Sequence, residues 1–212
     1  MAIYAIIVAA GKSRRMGEGI NKLLLPLRGK TVIENTMDLF SLDPRFTATI
    51  VVTSDSHIES LARQRGCLVV PGGKQRQDSV ISGLNILKDE DYVFIHDGAR
   101  PFLTAELLDA CFAMAREKKS FILATPINDT LKAVENGKVK RTLPREDHVL
   151  VQTPQGSCVA KLKKAYNTVK ELGAIVSDDA SALEFIGEKV YVIEGSEANR
   201  KITSPQDMRY LK

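Results

Sequence analysis

The run Ile3-Tyr4-Ala5-Ile6-Ile7-Val8, continuing into Ala9-Ala10-Gly11-Lys12-Ser13-Arg14-Arg15-Met16-Gly17, decides how this chain folds. Its first six residues are apolar or aromatic with no polar alternation. Such a run reads as a strand buried on both faces, the kind found in parallel sheets. A loop of small and cationic residues follows its carboxyl end, where open α/β sheets hold their ligands. Small side chains let backbone N–H groups approach an anion, and Lys12, Arg14, Arg15 and the later Lys22 supply positive charge. The spacing matches neither the P-loop nor the dinucleotide fingerprint. Taken alone, the loop also fits a glycine turn beside solvated cations.

Outward from this unit the strand-helix alternation repeats. Thr31 and Glu34 form a capping box opening a helix with Ile33, Met37 and Phe40 on one face. Thr49–Thr53 is a second strand. Ser56 and Glu59 read as a second capping box, with Gly66 ending that helix. Cys67–Val70 is a strand, and a helix carrying Val80, Leu84 and Leu87 follows Pro71-Gly72-Gly73. Tyr92–Ile95 is a strand ending at His96-Asp97, Thr104 caps a helix reaching Lys118, and Phe121–Ala124 is again a strand. The expectation is an α/β fold with a mostly parallel sheet and helices on both faces.

After Pro126 the pattern changes. Asp129–Val134 and Lys138–Leu143 alternate polar and apolar around Asn136-Gly137, a strong hairpin signal. The hairpin has too few apolar residues for a core of its own, and isolated hairpins are marginal in water. An arm at about 127–148 therefore packs on something else, most simply a second copy of the chain. A hairpin lying on its own domain is the alternative. Gln152-Thr153-Pro154-Gln155 reads as a turn. Cys158–Leu172 is helical with Gly173 as its stop, and Ser177–Phe185 is a short helix with Asp178 and Asp179 in its first turn. Val190–Ile193 is a strand, and Ser204-Pro205 opens a last helix.

The 212 residues suit one globular domain, 1–212, from which the arm projects. With 44% hydrophobic and 26% charged residues, the chain is not disordered, collagen-like or a coiled coil. The net charge is +4, but residues 1–30 hold six basic residues against Glu18 alone, which leaves −1 for the rest. This is one local basic patch suited to a small anion, and it argues against nucleic-acid binding. Cys67, Cys111 and Cys158 show no metal-ligand spacing and read as core thiols of a reducing compartment. No apolar run approaches a membrane span, and the apolar start lacks a signal peptide's basic flank, so a cytoplasmic location is expected.

Two further loops follow strand ends. Gly72-Gly73-Lys74-Gln75-Arg76-Gln77-Asp78-Ser79 permits close backbone approach, and Ser79 could bond a base or phosphate; a solvated helix cap is the plain alternative. In His96-Asp97-Gly98-Ala99-Arg100-Pro101, a carboxylate opposite a phosphate loop suits Mg²⁺, with phosphate and water as the other ligands. Asp97 could instead simply pair with Arg100. His96 reads as a packed, hydrogen-bonded imidazole. Asn199-Arg200-Lys201-Ile202-Thr203 adds a late cation.

In order along nearly the whole chain, these segments resemble the 2-C-methyl-D-erythritol 4-phosphate cytidylyltransferases. The matching residues are Ala9-Ala10-Gly11 with Arg14-Arg15-Met16 and Lys22, Gly72-Gly73 through Arg76 to Asp78-Ser79-Val80, and His96-Asp97 with Arg100-Pro101. Asp129-Thr130 with Lys132, Gln152-Thr153-Pro154-Gln155, Asp178-Asp179-Ala180-Ser181 with Glu184, and Asn199 with Lys201 and Thr203 complete the set. The resemblance implies a Rossmann-like nucleotidyltransferase, homodimeric through its β-arm, in which a methylerythritol phosphate oxygen attacks the α-phosphate of CTP and pyrophosphate leaves. It implies that Ala9, Ala10, Gly11, Gly73, Lys74, Ser79, Asp97 and Gly98 bind CTP, and that Arg15, Lys22 and Lys201 stabilise the reacting phosphates. Asp97 would hold Mg²⁺, and Asp97, Arg100, Thr130, Arg145 and Thr153 would bind the second substrate, Thr130 and Arg145 being delivered by a partner's arm.

The chain departs from the family pattern at Ser13, where a second loop glycine is usual, and at Arg200, where an aliphatic residue is usual. Gly156-Ser157-Cys158 replaces the usual aromatic after Gln155, and the family's tryptophan before that motif is missing. Three other readings share some of these features: a ribitol-5-phosphate cytidylyltransferase, a molybdopterin nucleotidyltransferase, and a CTP-binding regulatory module without turnover. A dehydrogenase is excluded by the missing fingerprint and ribose acid.

Overall fold

The computed structural model describes residues 1–11, 13–17 and 19–211, apart from the side chains of Arg14 and Leu211. Lys12, one of the loop cations, and Glu18 therefore lie outside the described residues. In chain order the elements are β1 (Ile3–Val8), β2 (Pro26–Leu27), β3 (Lys30–Thr31), α1 (Val32–Ser41), β4 (Ala48–Thr53) and α2 (Ser56–Gln64). There follow β5 (Leu68–Pro71), α3 (Arg76–Leu84), β6 (Tyr92–Asp97), α4 (Ala105–Arg116), β7 (Ser120–Pro126), β8 (Leu131–Glu135) and β9 (Lys138–Leu143). The last are β10 (Val149–Cys158), α5 (Val159–Glu171), α6 (Asp179–Glu184), β11 (Val190–Glu194) and a 3₁₀ segment, Pro205–Leu211.

Seven strands form one sheet in the order β11-β7-β10-β6-β1-β4-β5. β1 pairs in parallel with both β4 and β6, which puts Ile6 beside Ile50 and Ile95. Alternation then sorts the core into two layers. Ala5, Ile7, Val51, Tyr92 and Phe94 face α1, α2 and α4 through Ile33, Met37, Phe40, Ile58 and Phe112. Ile6, Ile50, Val52, Val93 and Ile95 face α3, α5 and α6 through Val80, Leu84, Leu162, Tyr166 and Leu183. Helices thus cover both faces, as the continuous apolar strands require.

Three local expectations change. The N-cap of α2 is Asp55, whose carboxylate accepts from the His57 and Ile58 N–H groups, so Ser56 is already helical. The segment read as a turn at residues 152–155 lies inside β10, which runs antiparallel between β6 and β7 with a register shift between Gln152 and Gln155. Its Gln, Thr, Pro and Gly content hides it from pattern reading, yet the bulge accommodates the proline and every polar side chain finds a partner. Finally, β2 and β3 form a tight ribbon around Arg28-Gly29 that the sequence did not suggest. The Thr31–Glu34 capping box is present as expected, with Glu34 bonded to the Thr31 N–H at 2.7 Å.

β8 and β9 form the expected hairpin, with Asn136 and Gly137 both at positive φ and Val134 opposite Val139. Val134 is 61% exposed and Val139 64%. The exposed run Val149-Leu150-Val151 lies at the foot of the same arm. An aromatic replacement at residues 156–158 is unnecessary because the Phe121 ring occupies the space beside Gly156, where an added Cβ would fall 2.3 Å from it.

Candidate active site

The loops after β1, β5 and β6 meet at the carboxyl edge of the sheet, around a cavity of about 840 Å³. Arg15, Lys22, Lys74, Arg76 and Lys201 line it together with Asp97. Close backbone packing makes this possible. A Cβ on Gly72 would sit 2.2 Å from the Ala10 methyl, and one on Gly73 would sit 2.1 Å from the Asp78 Cβ. The first glycine lets the two loops touch, and the second lets the loop fold back onto the start of α3.

The glycine loop carries two 3₁₀ turns, Arg14–Met16 and Lys22–Leu24. Ser13 opens the first in a left-handed conformation, φ 47°, which explains why glycine is usual here. Asn21 caps the second through the Leu23 N–H and is itself tied to Asp55. Lys22 is half-buried, and burial, reinforced by Lys201 and Arg15, lowers its pKa to about 8. Asp97 and Asp207 offset this repulsion only in part.

Asp97 ends β6 and is nearly buried. Its Oδ2 accepts from Lys201 Nζ at 2.8 Å and lies 3.4 Å from Arg100 Nε, while Arg76 Nε is 3.8 Å from Oδ1. Burial opposes its ionisation, but Lys201, Arg76 and Arg100 more than offset this and hold it well below the usual carboxylate range. A hydrogen-bond chain fixes its backbone. The Asp97 N–H donates to Thr153 Oγ1, Thr153 Oγ1 meets His96 Nδ1, and His96 Nε2 meets the Arg100 carbonyl. A carbonyl can only accept, so Nε2 carries the proton and Nδ1 accepts. Burial lowers the His96 pKa to about 4, so the imidazole is neutral and has no spare nitrogen for proton transfer. It is the packed histidine expected.

The Gln152–Gln155 segment ties two distant pieces of chain to this edge. Gln155 Oε1 accepts from the Asp179 and Ala180 N–H groups, and its Nε2 donates to Asp178. Gln152 and the Thr153 carbonyl both accept from Asn199, which brings Lys201 over Asp97. The Ile202 N–H bonds the Ala99 carbonyl and completes the join. Fully buried Asp179, placed by the first link, grips Arg76 at 2.6 and 3.0 Å and accepts from Tyr166 Oη at 2.6 Å. Sequence reading left Arg76 and Asp179 without roles. The partners are 103 residues apart, and an aspartate in a helix's first turn signals a cap rather than a partner.

Of the residues expected to meet the nucleotide, Ala10, Gly11, Gly73, Lys74, Ser79, Asp97 and Gly98 line the cavity, as do Arg15, Lys22 and Lys201. Ala9 does not: its N–H donates to the Val52 carbonyl and its own carbonyl faces the Thr53 hydroxyl at 3.5 Å. The Ser79 hydroxyl accepts from the Gly73 N–H and donates to the Gln75 carbonyl, closing the loop on itself. Arg100 and Thr153 also stand behind the cavity wall. Arg100 donates to the Asn199 carbonyl at 2.8 Å, and Thr153 is buried under Asp97; both support the wall instead of lining it. Thr130 and Arg145 are exposed on the arm, Arg145 donating to the Asn128 carbonyl, and neither lines the cavity of its own chain. Arg200 stacks on the Tyr210 ring at 4.1 Å, which accounts for an arginine at an aliphatic position.

Residues 3–211 match the family model described as 2-C-methyl-D-erythritol 4-phosphate cytidylyltransferase. The enzyme of that name from Bacillus cytotoxicus is 40% identical over 97% of this chain and 95% of its own length. That of Halalkalibacterium halodurans is 36% identical over 100% and 96%. The crystal structure of the Francisella tularensis enzyme superposes with a TM-score of 0.85 at 33% identity, covering 99% of this chain and 98% of that one.

Proposed function

The chain belongs to the 2-C-methyl-D-erythritol 4-phosphate cytidylyltransferase family, and we propose that the cavity beneath its glycine loop is where the reaction takes place. The enzyme transfers the cytidylyl group of CTP to 2-C-methyl-D-erythritol 4-phosphate in isoprenoid precursor synthesis. The products are 4-diphosphocytidyl-2-C-methyl-D-erythritol and pyrophosphate. The observation that carries the assignment of the site is the convergence of Arg15, Lys22, Lys74, Arg76 and Lys201 on one cavity.

In our reading a phosphate oxygen of the acceptor forms a bond to the α-phosphorus of CTP, and the bond to the departing pyrophosphate breaks. The attacking oxygen is already ionised, so no base is needed, in keeping with a neutral, fully bonded His96. The demands that remain are orientation and neutralisation of charge. Backbone groups of Ala10, Gly11 and Gly73 hold the nucleotide. Arg15 and Lys22 meet the charge on the α-phosphate, and Lys201 bridges phosphate and acceptor.

Asp97 suits Mg²⁺: it is one ionised hard-oxygen donor facing a phosphate site, and Mg²⁺ commonly takes one or two carboxylates plus phosphate and water. No cluster of three potential ligands occurs among the described residues, so the protein alone would not cage the ion. When bound, the metal supplies further neutralisation of phosphate charge. Lys201, Arg76 and Arg100 hold Asp97 ionised and aimed before it arrives.

We further propose a homodimer in which the arm delivers Thr130 and Arg145 to the partner's cavity. The exposed apolar residues Val134, Val139 and Val149-Leu150-Val151 support it. Among the described residues no helix is long and apolar enough to cross a membrane, and a cytoplasmic location fits the three unpaired cysteines. Sedimentation together with turnover at graded Mg²⁺ tests both proposals. A dimer inactive without divalent cation supports them; a fully active monomer, or full activity in excess chelator, refutes the corresponding one.

A further inference from the structure

We propose that Ser13 is a positioning residue for Lys22, its hydroxyl closing the neck of the glycine loop where the usual glycine could not. The inference rests on the reading of the cavity as the cytidylyl-transfer site. Ser13 occupies φ 47°, ψ 28°, a left-handed conformation that glycine adopts freely and serine does not. A compensating contact accompanies this conformation. Ser13 Oγ accepts the Lys22 N–H at 3.3 Å, joining the two ends of the loop across nine residues.

That N–H is the first donor of the Lys22–Leu24 turn, and leading donors of a helical turn have no partner within it. Ser13 takes the Lys22 donor, and Asn21, braced by Asp55, takes that of Leu23. The Ser13 carbonyl accepts the Met16 N–H at 2.8 Å and so closes the turn that carries Arg15. One residue therefore holds the bases of both cationic side chains, through its carbonyl for one and its hydroxyl for the other. A glycine retains only the carbonyl. The need for a second tether follows from the charges. Burial and repulsion from Lys201 and Arg15 outweigh the attraction of Asp97 and Asp207 for Lys22, and the Ser13 bond fixes the base of that side chain at the cavity.

The test compares Ser13→Ala and Ser13→Gly in the full chain, each alone and with Lys22→Gln. Both single variants should lower kcat about 3- to 10-fold, the scale of one lost hydrogen bond, with a smaller change in KM for CTP. Ser13→Gly should melt no lower than wild type, because glycine relieves the left-handed backbone. A slower but no less stable enzyme separates positioning from a merely structural role. With Lys22→Gln already present, Ser13→Ala should cost less than about twofold more. Ser13→Gly turning over as fast as wild type overturns the proposal. So does an undiminished loss on the Lys22→Gln background, which would mean that the hydroxyl acts on the bound phosphates directly. Hydrogen exchange at the Lys22 amide reads the clasp without turnover: it should quicken several-fold in Ser13→Gly, and an unchanged rate refutes the clasp. If wild type released no pyrophosphate, the functional reading would fail, and the exchange result would still decide on the clasp.

Discussion

Replacing Gln155 by methionine keeps side-chain length and removes three hydrogen bonds at one point. The amide oxygen accepts from the Asp179 and Ala180 N–H groups at 3.0 and 2.9 Å, and the nitrogen donates to Asp178 at 2.8 Å. Asp179 and Ala180 open α6, and the next donor, Ser181, is already capped by Asp178. Gln155 thus completes the accounting for the helix's first turn, and both orphaned N–H groups would be buried. An unsatisfied buried donor costs about 1–3 kcal/mol, so two should cost about 3 kcal/mol after partial relaxation. For a chain of this size, about 2–4 °C of melting temperature follows each kcal/mol, which predicts a fall of about 6–12 °C. Calorimetry measures this, with CTP affinity as the second readout. α6 also places Asp179 against Arg76, so CTP binding should weaken even at temperatures where the variant is fully folded. A melting temperature within about 2 °C of wild type would refute the reasoning, because the cap would then not need Gln155.

Lys22→Ala should reduce kcat by roughly 10²–10³ with little change in stability, as for loss of a preorganised charge stabiliser, and steady-state kinetics with calorimetry checks both. The pKa of Lys22 is lowered to about 8, so kcat/KM for CTP should fall as pH rises through about 8, and Lys22→Arg should abolish that inflection. The stability sign is opposite: the unfolded chain binds more protons between about 8 and the normal lysine range, so deprotonation of Lys22 favours the fold as pH rises. Asp97→Asn should abolish Mg²⁺-dependent turnover and destabilise the protein at neutral pH by leaving Lys201 and Arg100 without their carboxylate partner. Its folded pKa is depressed, so wild type should lose stability faster than this variant as pH drops below about 4, measurable in acid unfolding curves. Val134→Asp with Val139→Asp should shift sedimentation toward monomer and depress turnover at low enzyme concentration; an unaltered dimer would remove the arm's assigned role.

The regular part of the fold was legible because its signals are local. β1, β4, β5, β6, β7 and β11 are apolar runs, and the Asn136-Gly137 turn and Thr31–Glu34 box announce themselves. β10 was not legible, since Gln152, Thr153, Pro154 and Gln155 look like a turn until their partners near residues 178–180 and 199 are known. The same separation divides the site residues. Loop residues such as Gly11, Lys22, Gly73 and Asp97 are identified by their place after strands. Arg76 could be noticed in its motif, but its grip on Asp179 is a tertiary fact. Ala9, Arg100 and Thr153 belong to the right neighbourhood, yet the geometry shows their polar groups engaged in holding the wall.

Pyrophosphate release from CTP with Mg²⁺, measured in parallel with 2-C-methyl-D-erythritol 4-phosphate and ribitol 5-phosphate, addresses the central claim most directly. Rapid release with the first acceptor and none above background with the second is the predicted result. Release with ribitol 5-phosphate alone, or saturable CTP binding without release from either, would contradict it.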